Sequence, residues 1–151
     1  MNNNKNNLEL KHLWTILCSN SSIDQKTNNL SIFNIIEQIE VESKDKKSID
    51  AEGKKAVGIN LELISMWHRK IGTKSEYEER VDFVDPKGET LNFKEVPFKF
   101  PDNIDGFRMN FKIDLLIFNK IGEYKFKVSV RESGKKDFTE VFDLPLKITV
   151  K

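Results

Sequence analysis

The stretch GFRMNFKIDLLIF, residues 106–118, sets Phe107, Met109, Phe111, Ile113 and Leu115 in strict alternation with Arg108, Asn110, Lys112 and Asp114. At about 100° per residue a helix would put Phe107, Phe111 and Leu115 on one side and Met109 and Ile113 nearly opposite, with Lys112 between them. No helix buries all five without also burying a charge. In a strand all five point one way and the four polar residues the other. Each buried apolar side chain stabilises by about 1.5–3 kcal/mol before entropy, and a one-residue slip would expose the whole set and bury Lys112 and Asp114. The stretch therefore predicts a strand with one wet face, a scaffold element before it is a working site.

The same period of two recurs along the chain. Tyr124, Phe126, Val128 and Val130 alternate with Lys125, Lys127, Ser129 and Arg131, and near the C-terminus Phe142, Leu144, Leu146, Ile148 and Val150 share a parity. Pro145 falls on the other parity, as on an edge strand or at a bulge. YEERVDFVD and ETLNFKEV flank Pro86-Lys87-Gly88, which predicts a hairpin. AVGINLELISMW is apolar on both parities, like a strand covered on both faces.

Residues 30–41 are ambiguous. Ile32, Ile35, Ile36 and Ile39 cluster on a helical wheel, the mark of one short amphipathic helix. Their Ile and Phe content, and the preceding polar turn DQKTNN, favour strands folded back on LKHLWTILC. Long alternating strands with short connections together predict an all-β chain, an antiparallel sandwich or barrel of about seven to nine strands.

At 151 residues the chain is one domain's worth, expected to run over 8–151 behind a frayed Asn-rich leader at 1–7. Ser43–Lys55 reads as a mobile polar loop. The net charge is +1, although 32% of residues are charged, so the surface is solvated without being polarised. Lysines cluster at Lys44, Lys46, Lys47, Lys54 and Lys55 with acids among them, and only four of the 25 cations are Arg. That is a poor nucleic-acid footprint. The apolar run Leu13–Cys18 is far short of the roughly 20 residues of a spanning helix, and the N-terminus carries no cleavable signal. A cytoplasmic protein is expected, with neither nucleic acid nor membrane as partner. The lone Cys18 reads as a buried thiol in a reducing compartment.

Chemistry-bearing motifs are scarce. His12 and His68, the only two histidines, show no metal-ligand spacing, and His12 shares parity with Leu10, Trp14 and Ile16. There is no G-x-S-x-G, P-loop or G-x-G-x-x-G, and 24 acids allow too many carboxylate pairings to single one out. PDNIDGF and DPKGE put acids on turns, but Ile104 sits where a calcium ligand would be wanted. Eleven Phe against two Trp and two Tyr point to core packing. No catalytic residue, metal or cofactor is expected. Trp67 reads as a core residue at a strand end. Followed by His68, Arg69 and Lys70, it is also the best candidate for an exposed binding platform, with His68 and Arg108 as companions.

Asp85-Pro86-Lys87-Gly88 closing one strand, Gly122-Glu123-Tyr124 opening another, and a final alternating strand together resemble immunoglobulin-like β-sandwiches. The early LWTILCSNSSIDQKTNNLSIFNIIEQI resembles the opening hairpin of small uncharacterised bacterial proteins of that class. The resemblance implies that Tyr124 is a structural corner residue. The Cys…Trp…Cys core of antibody domains is absent, and the resemblance implies no activity. The residues point to a non-catalytic module that binds a protein partner or another copy of itself. The alternative is a small-molecule or carbohydrate-binding module using Trp67 and the loops at one end.

Overall fold

The computed structural model describes residues 9–42 and 53–151; the expected leader and most of the Ser43–Lys55 loop lie outside them. Among the described residues nine strands run in order: β1 (Leu10–Ile23), β2 (Leu30–Ile35), β3 (Gln38–Val41), β4 (Lys55–Arg69), β5 (Glu76–Val84), β6 (Thr90–Lys99), β7 (Gly106–Phe118), β8 (Gly122–Glu132) and β9 (Thr139–Val150). They form a four-stranded sheet, β2-β1-β4-β7, and a five-stranded sheet, β3-β9-β8-β5-β6. All pairings are antiparallel except β3 with β9.

The two sheets share one core, so the arrangement is sandwich-like. Leu17, Leu63, Met109 and Phe111 from the four-stranded sheet meet Val81, Phe83, Phe126, Val128 and Leu146 from the other in one buried cluster. Aromatic rings fill much of the gap. Phe83 stacks on Tyr124 at 5.1 Å between ring centres, and Trp67 on Phe98 at 6.0 Å, spacings at which offset rings attract.

The short helix entertained for residues 30–41 does not form; among the described residues there is no helix. Asp24 Oδ1 accepts the N–H groups of Lys26 and Thr27, and Asn28 takes a left-handed φ of 58°, which Asn tolerates. That tight turn brings β2 beside β1, pairing Cys18 with Ile35 and Ile23 with Leu30. Asn34, also left-handed at φ 53°, is incompatible with a helix. Residues 36–37 then bridge to the other sheet: Ile36 N–H donates to Leu17 O, and Lys147 N–H to Glu37 O.

The opening stretch is β7, and its alternation holds as far as Ile113. There the pairing with β4 shifts register between Gly58 and Leu61. Beyond the shift, Leu116 and Phe118 are buried and Leu115 is 49% exposed, which removes Leu115 from the expected inward set. A second shift at Leu13 splits β1. Leu10 and His12 face the core before it. After it Thr15 and Leu17 do, so Trp14 and Ile16 point outward instead of sharing the parity of His12. β4 is covered on both faces only over its second half, where Leu63, Ile64 and Ser65 are all buried. β9 is not a full edge: β3 pairs Lys147–Val150, which leaves Pro145 on the uncovered half.

One end of the sandwich is locked by polar groups. At the expected β5–β6 hairpin, Asp85 Oδ1 accepts the N–H groups of Lys87 and Glu89, and Asp85 Oδ2 accepts Asn119 Nδ2. Burial pushes the Asp85 carboxyl up, but these bonds outweigh it and hold its pKa below the usual range. The Tyr124 hydroxyl donates to Lys120 O at 2.5 Å and accepts the N–H groups of Asn119 and Lys120. Gly122 has φ 150°, and a Cβ there would stand 3.1 Å from Pro86 Cγ, so only glycine fits. Replacing Tyr124 by Phe removes the partner of two partly buried N–H groups and a carbonyl. Urea denaturation of Tyr124→Phe is expected to read a loss of about 1–3 kcal/mol; an unchanged midpoint would remove the corner from the fold's support.

Candidate functional site

The three residues singled out from the sequence do not share a cleft. Trp67, on the inward parity of β4, is completely buried, which corrects its reading as an exposed platform. His68 and Arg108 lie on the outward face. His68 Nε2 meets Asp105 Oδ2 at 3.2 Å. Arg108 Nη2 donates to Asn28 O at 2.7 Å and to Asn28 Oδ1 at 2.9 Å. Since β7 lies beyond β4 from β1, the tip of the β1–β2 hairpin must return over the outside of this sheet to make that bond. Ser21 Oγ also donates to Glu62 Oε2 there. Cys18 and Ile64, outward in parity, are buried on that side. Burial, then the nearby Glu62 charge, raises the Cys18 pKa, so the thiol is a poor nucleophile. Arg69, expected at the surface with Lys70, is buried. Its three nitrogens donate to Ile104 O, Thr73 O and Pro101 O, tying two loops to the end of β4.

The sequence reading missed a polar group inside the core. Glu79 on β5 is fully buried, and its Oε2 accepts the Trp67 indole N–H at 2.9 Å across the gap between the sheets. Its Oε1 has no protein partner. Nearby, His12 Nε2 lies 2.6 Å from Thr15 Oγ1, which lies 3.0 Å from Ser65 Oγ. His12 packs edge-on to Trp67 and stacks on Phe142, and burial lowers its pKa. Burial also pushes Glu79 up to about 7, with the Ser65 hydroxyl and Trp67 indole acting the other way. The signal was present in YEERVDF: Glu79 shares parity with Tyr77, Val81 and Phe83.

The two outer faces differ. On the five-stranded sheet Arg80 pairs with Asp82 and Glu95, Lys125 with Asp143, Lys127 with Glu140, and Arg131 with Glu78. Such exposed pairs stabilise little, but they keep that face wet. On the β1–β2 hairpin Ile23, Phe33 and Ile35 stand 54%, 50% and 62% exposed. β2, LSIFNI, is an edge strand with neither charge nor proline. The other edges are guarded: β6 by Lys94, Glu95 and Pro97, β7 by Lys112 and Asp114, and β3 by Glu40.

Among the described residues no three His, Cys, Asp or Glu side chains gather as a metal site, and no helix is long and apolar enough to cross a membrane. No protein-family model matches the chain, and no curated protein matches it.

Glu79 makes stability depend on pH. Its folded pKa of about 7 lies above the ordinary value near 4.3, so the fold prefers the protonated form. The stability it contributes is full below about pH 4.5, and falls as pH rises through 7. In Glu79→Gln the side chain is neutral and still accepts from Trp67. The stability advantage of Glu79→Gln over wild type should therefore grow by about 2–3 kcal/mol between pH 5 and pH 8. Urea melts at the two pH values check this; parallel pH profiles for both proteins would contradict it.

Proposed function

We propose that this chain is a non-catalytic, immunoglobulin-like β-sandwich that works by binding a protein partner or a second copy of itself through the edge of β2. The fold part of the reading rests on strand order. In sequence, β1-β4-β7 against β9-β8-β5-β6 follows the A-B-E against G-F-C-C′ order of such domains. On that alignment Tyr124 opens strand F, with its hydroxyl bonded back to Lys120, the place and bond of a tyrosine corner.

The observation that carries the function is the contrast between edges. An unpaired strand offers a row of backbone donors and acceptors to any extended segment, and folded proteins normally blunt such rows. Three of the edges here carry charges. β2 carries Phe33 and Ile35 instead, more than a third of each exposed, an arrangement suited to strand addition with apolar side chains giving specificity. The absence of nucleophile motifs and the inert setting of Cys18 support a non-catalytic role.

Light scattering after size exclusion, run over a dilution series and paired with affinity capture from lysate, tests the reading. Wild type is expected to self-associate or to retain a stoichiometric partner, and Phe33→Lys/Ile35→Lys to lose that association without losing its thermal transition. A wild-type chain that stays monomeric and recovers no partner overturns the proposal.

A further inference from the structure

The two flanks of the sandwich are built differently. Residues 36–37 bridge the flank between β1 and β9, beside an open hollow of about 660 Å³ that Glu37, Gln38, Glu123 and Lys147 line along with apolar residues. On the opposite flank, between the edge strands β6 and β7, the sheets part around a cavity of about 280 Å³. Its floor is the core itself: Leu63, Val81, Phe83, Phe111 and Phe126. An engineered apolar cavity of about 150 Å³ suffices to hold benzene, so this one has room for an unbranched chain of roughly eight to ten carbons.

The mouth is polar on one lip for a specific reason. In the β5–β6 register Lys94 stands opposite Val81, and Asn92 opposite Phe83. Residues opposite one another share a face, so Lys94 and Asn92 occupy core-facing positions where apolar side chains would have closed the gap. Both remain exposed and line the cavity. Five other cations of this sheet, Arg80, Lys99, Lys125, Lys127 and Arg131, each hold a carboxylate, while Lys147 on β9 holds none among the described residues and lies on the far flank. Lys94 holds none among the described residues. At the β7 lip, Lys112 and Asp114 offset each other, which leaves the mouth with one net positive charge. An inward lysine also discourages edge pairing, but that purpose does not require an open apolar floor beneath it.

We infer that the slot between β6 and β7 binds a medium-chain aliphatic carboxylate, its tail on the Phe83, Phe111 and Phe126 floor and its carboxylate on Lys94 Nζ. Tail burial supplies most of the affinity, since each buried CH₂ adds about 0.8 kcal/mol. The charge-assisted bond selects the headgroup. The site is independent of the β2 edge.

Calorimetric titration with decanoate, decanol and decyltrimethylammonium tests the assignment. Saturable one-to-one binding of decanoate is expected, at least about tenfold tighter than the cationic amphiphile of equal tail, the equivalent of 1.4 kcal/mol. Lys94→Glu, at an exposed position, should keep the thermal transition and weaken decanoate about tenfold or more while leaving decanol unchanged. Asn92→Trp, which fills the slot from its lip, should remove binding of all three. No saturable decanoate binding to wild type, equal affinity for the cationic amphiphile, or full decanoate affinity in Lys94→Glu would each overturn the site.

Discussion

A single layer of side chains between two pleated sheets holds this chain together, and the pleat alone decides which residues enter it. Trp67 and Glu79 tie that layer together near one end of the sandwich. One comes from β4 and the other from β5, an interior strand of each sheet, and they meet at 2.9 Å. An indole N–H buried without an acceptor, or a carboxylate buried without a donor, would cost about 1–3 kcal/mol or more, so neither residue is tolerable without the other. The bond also restricts how the sheets can slide. A shift by one core-facing position along β5 would carry Trp67 away from the carboxylate, onto Val81 or Tyr77. Apolar burial supplies the bulk of the stability, and this bond contributes register.

What the layer leaves over is distributed unevenly. The outward face of the five-stranded sheet is a lattice of ion pairs, with Arg80 lying over Phe93 and Arg131 over Phe138 at about 4 Å, so its aromatic residues are covered by cations. The hairpin of β1 and β2 has no such cover. Its tip is pinned to the sheet by Arg108 on Asn28, while Phe33 and Ile35 stay in water. At the opposite flank the polar lip of β6 keeps the sheets from closing over the core. Edge and slot share a cause: a strand at the border of a sheet cannot satisfy both faces and its free hydrogen-bonding side at once.

The all-β class, the DPKGE hairpin and the parity of β8 were legible because each rests on a local period of two reinforced by turn chemistry. The bulges at Leu13 and between Gly58 and Leu61 were not. An extra residue in a strand needs no special side chain, so nothing in LKHLWTIL separates His12, which faces the core, from Trp14, which does not. Trp67 was half legible. Its parity with Leu63 and Leu61 placed it inside, but His68, Arg69 and Lys70 suggested a surface, and Arg69 turned out to be buried by three carbonyls. Glu79 was obscured by its charged neighbours Glu78 and Arg80, although its parity gave it away. The slot rests on register between β5 and β6, which one strand's sequence does not encode.

The placement of Trp67 between the sheets is open to direct measurement by proton NMR of the indole N–H. The expected spectrum shows an indole proton protected from solvent exchange in the folded state, with through-space contacts from the Trp67 ring to the Phe98 ring on the opposite sheet. An indole proton exchanging at the rate of a free tryptophan, with no contact to Phe98, would contradict the shared core and the register built on it.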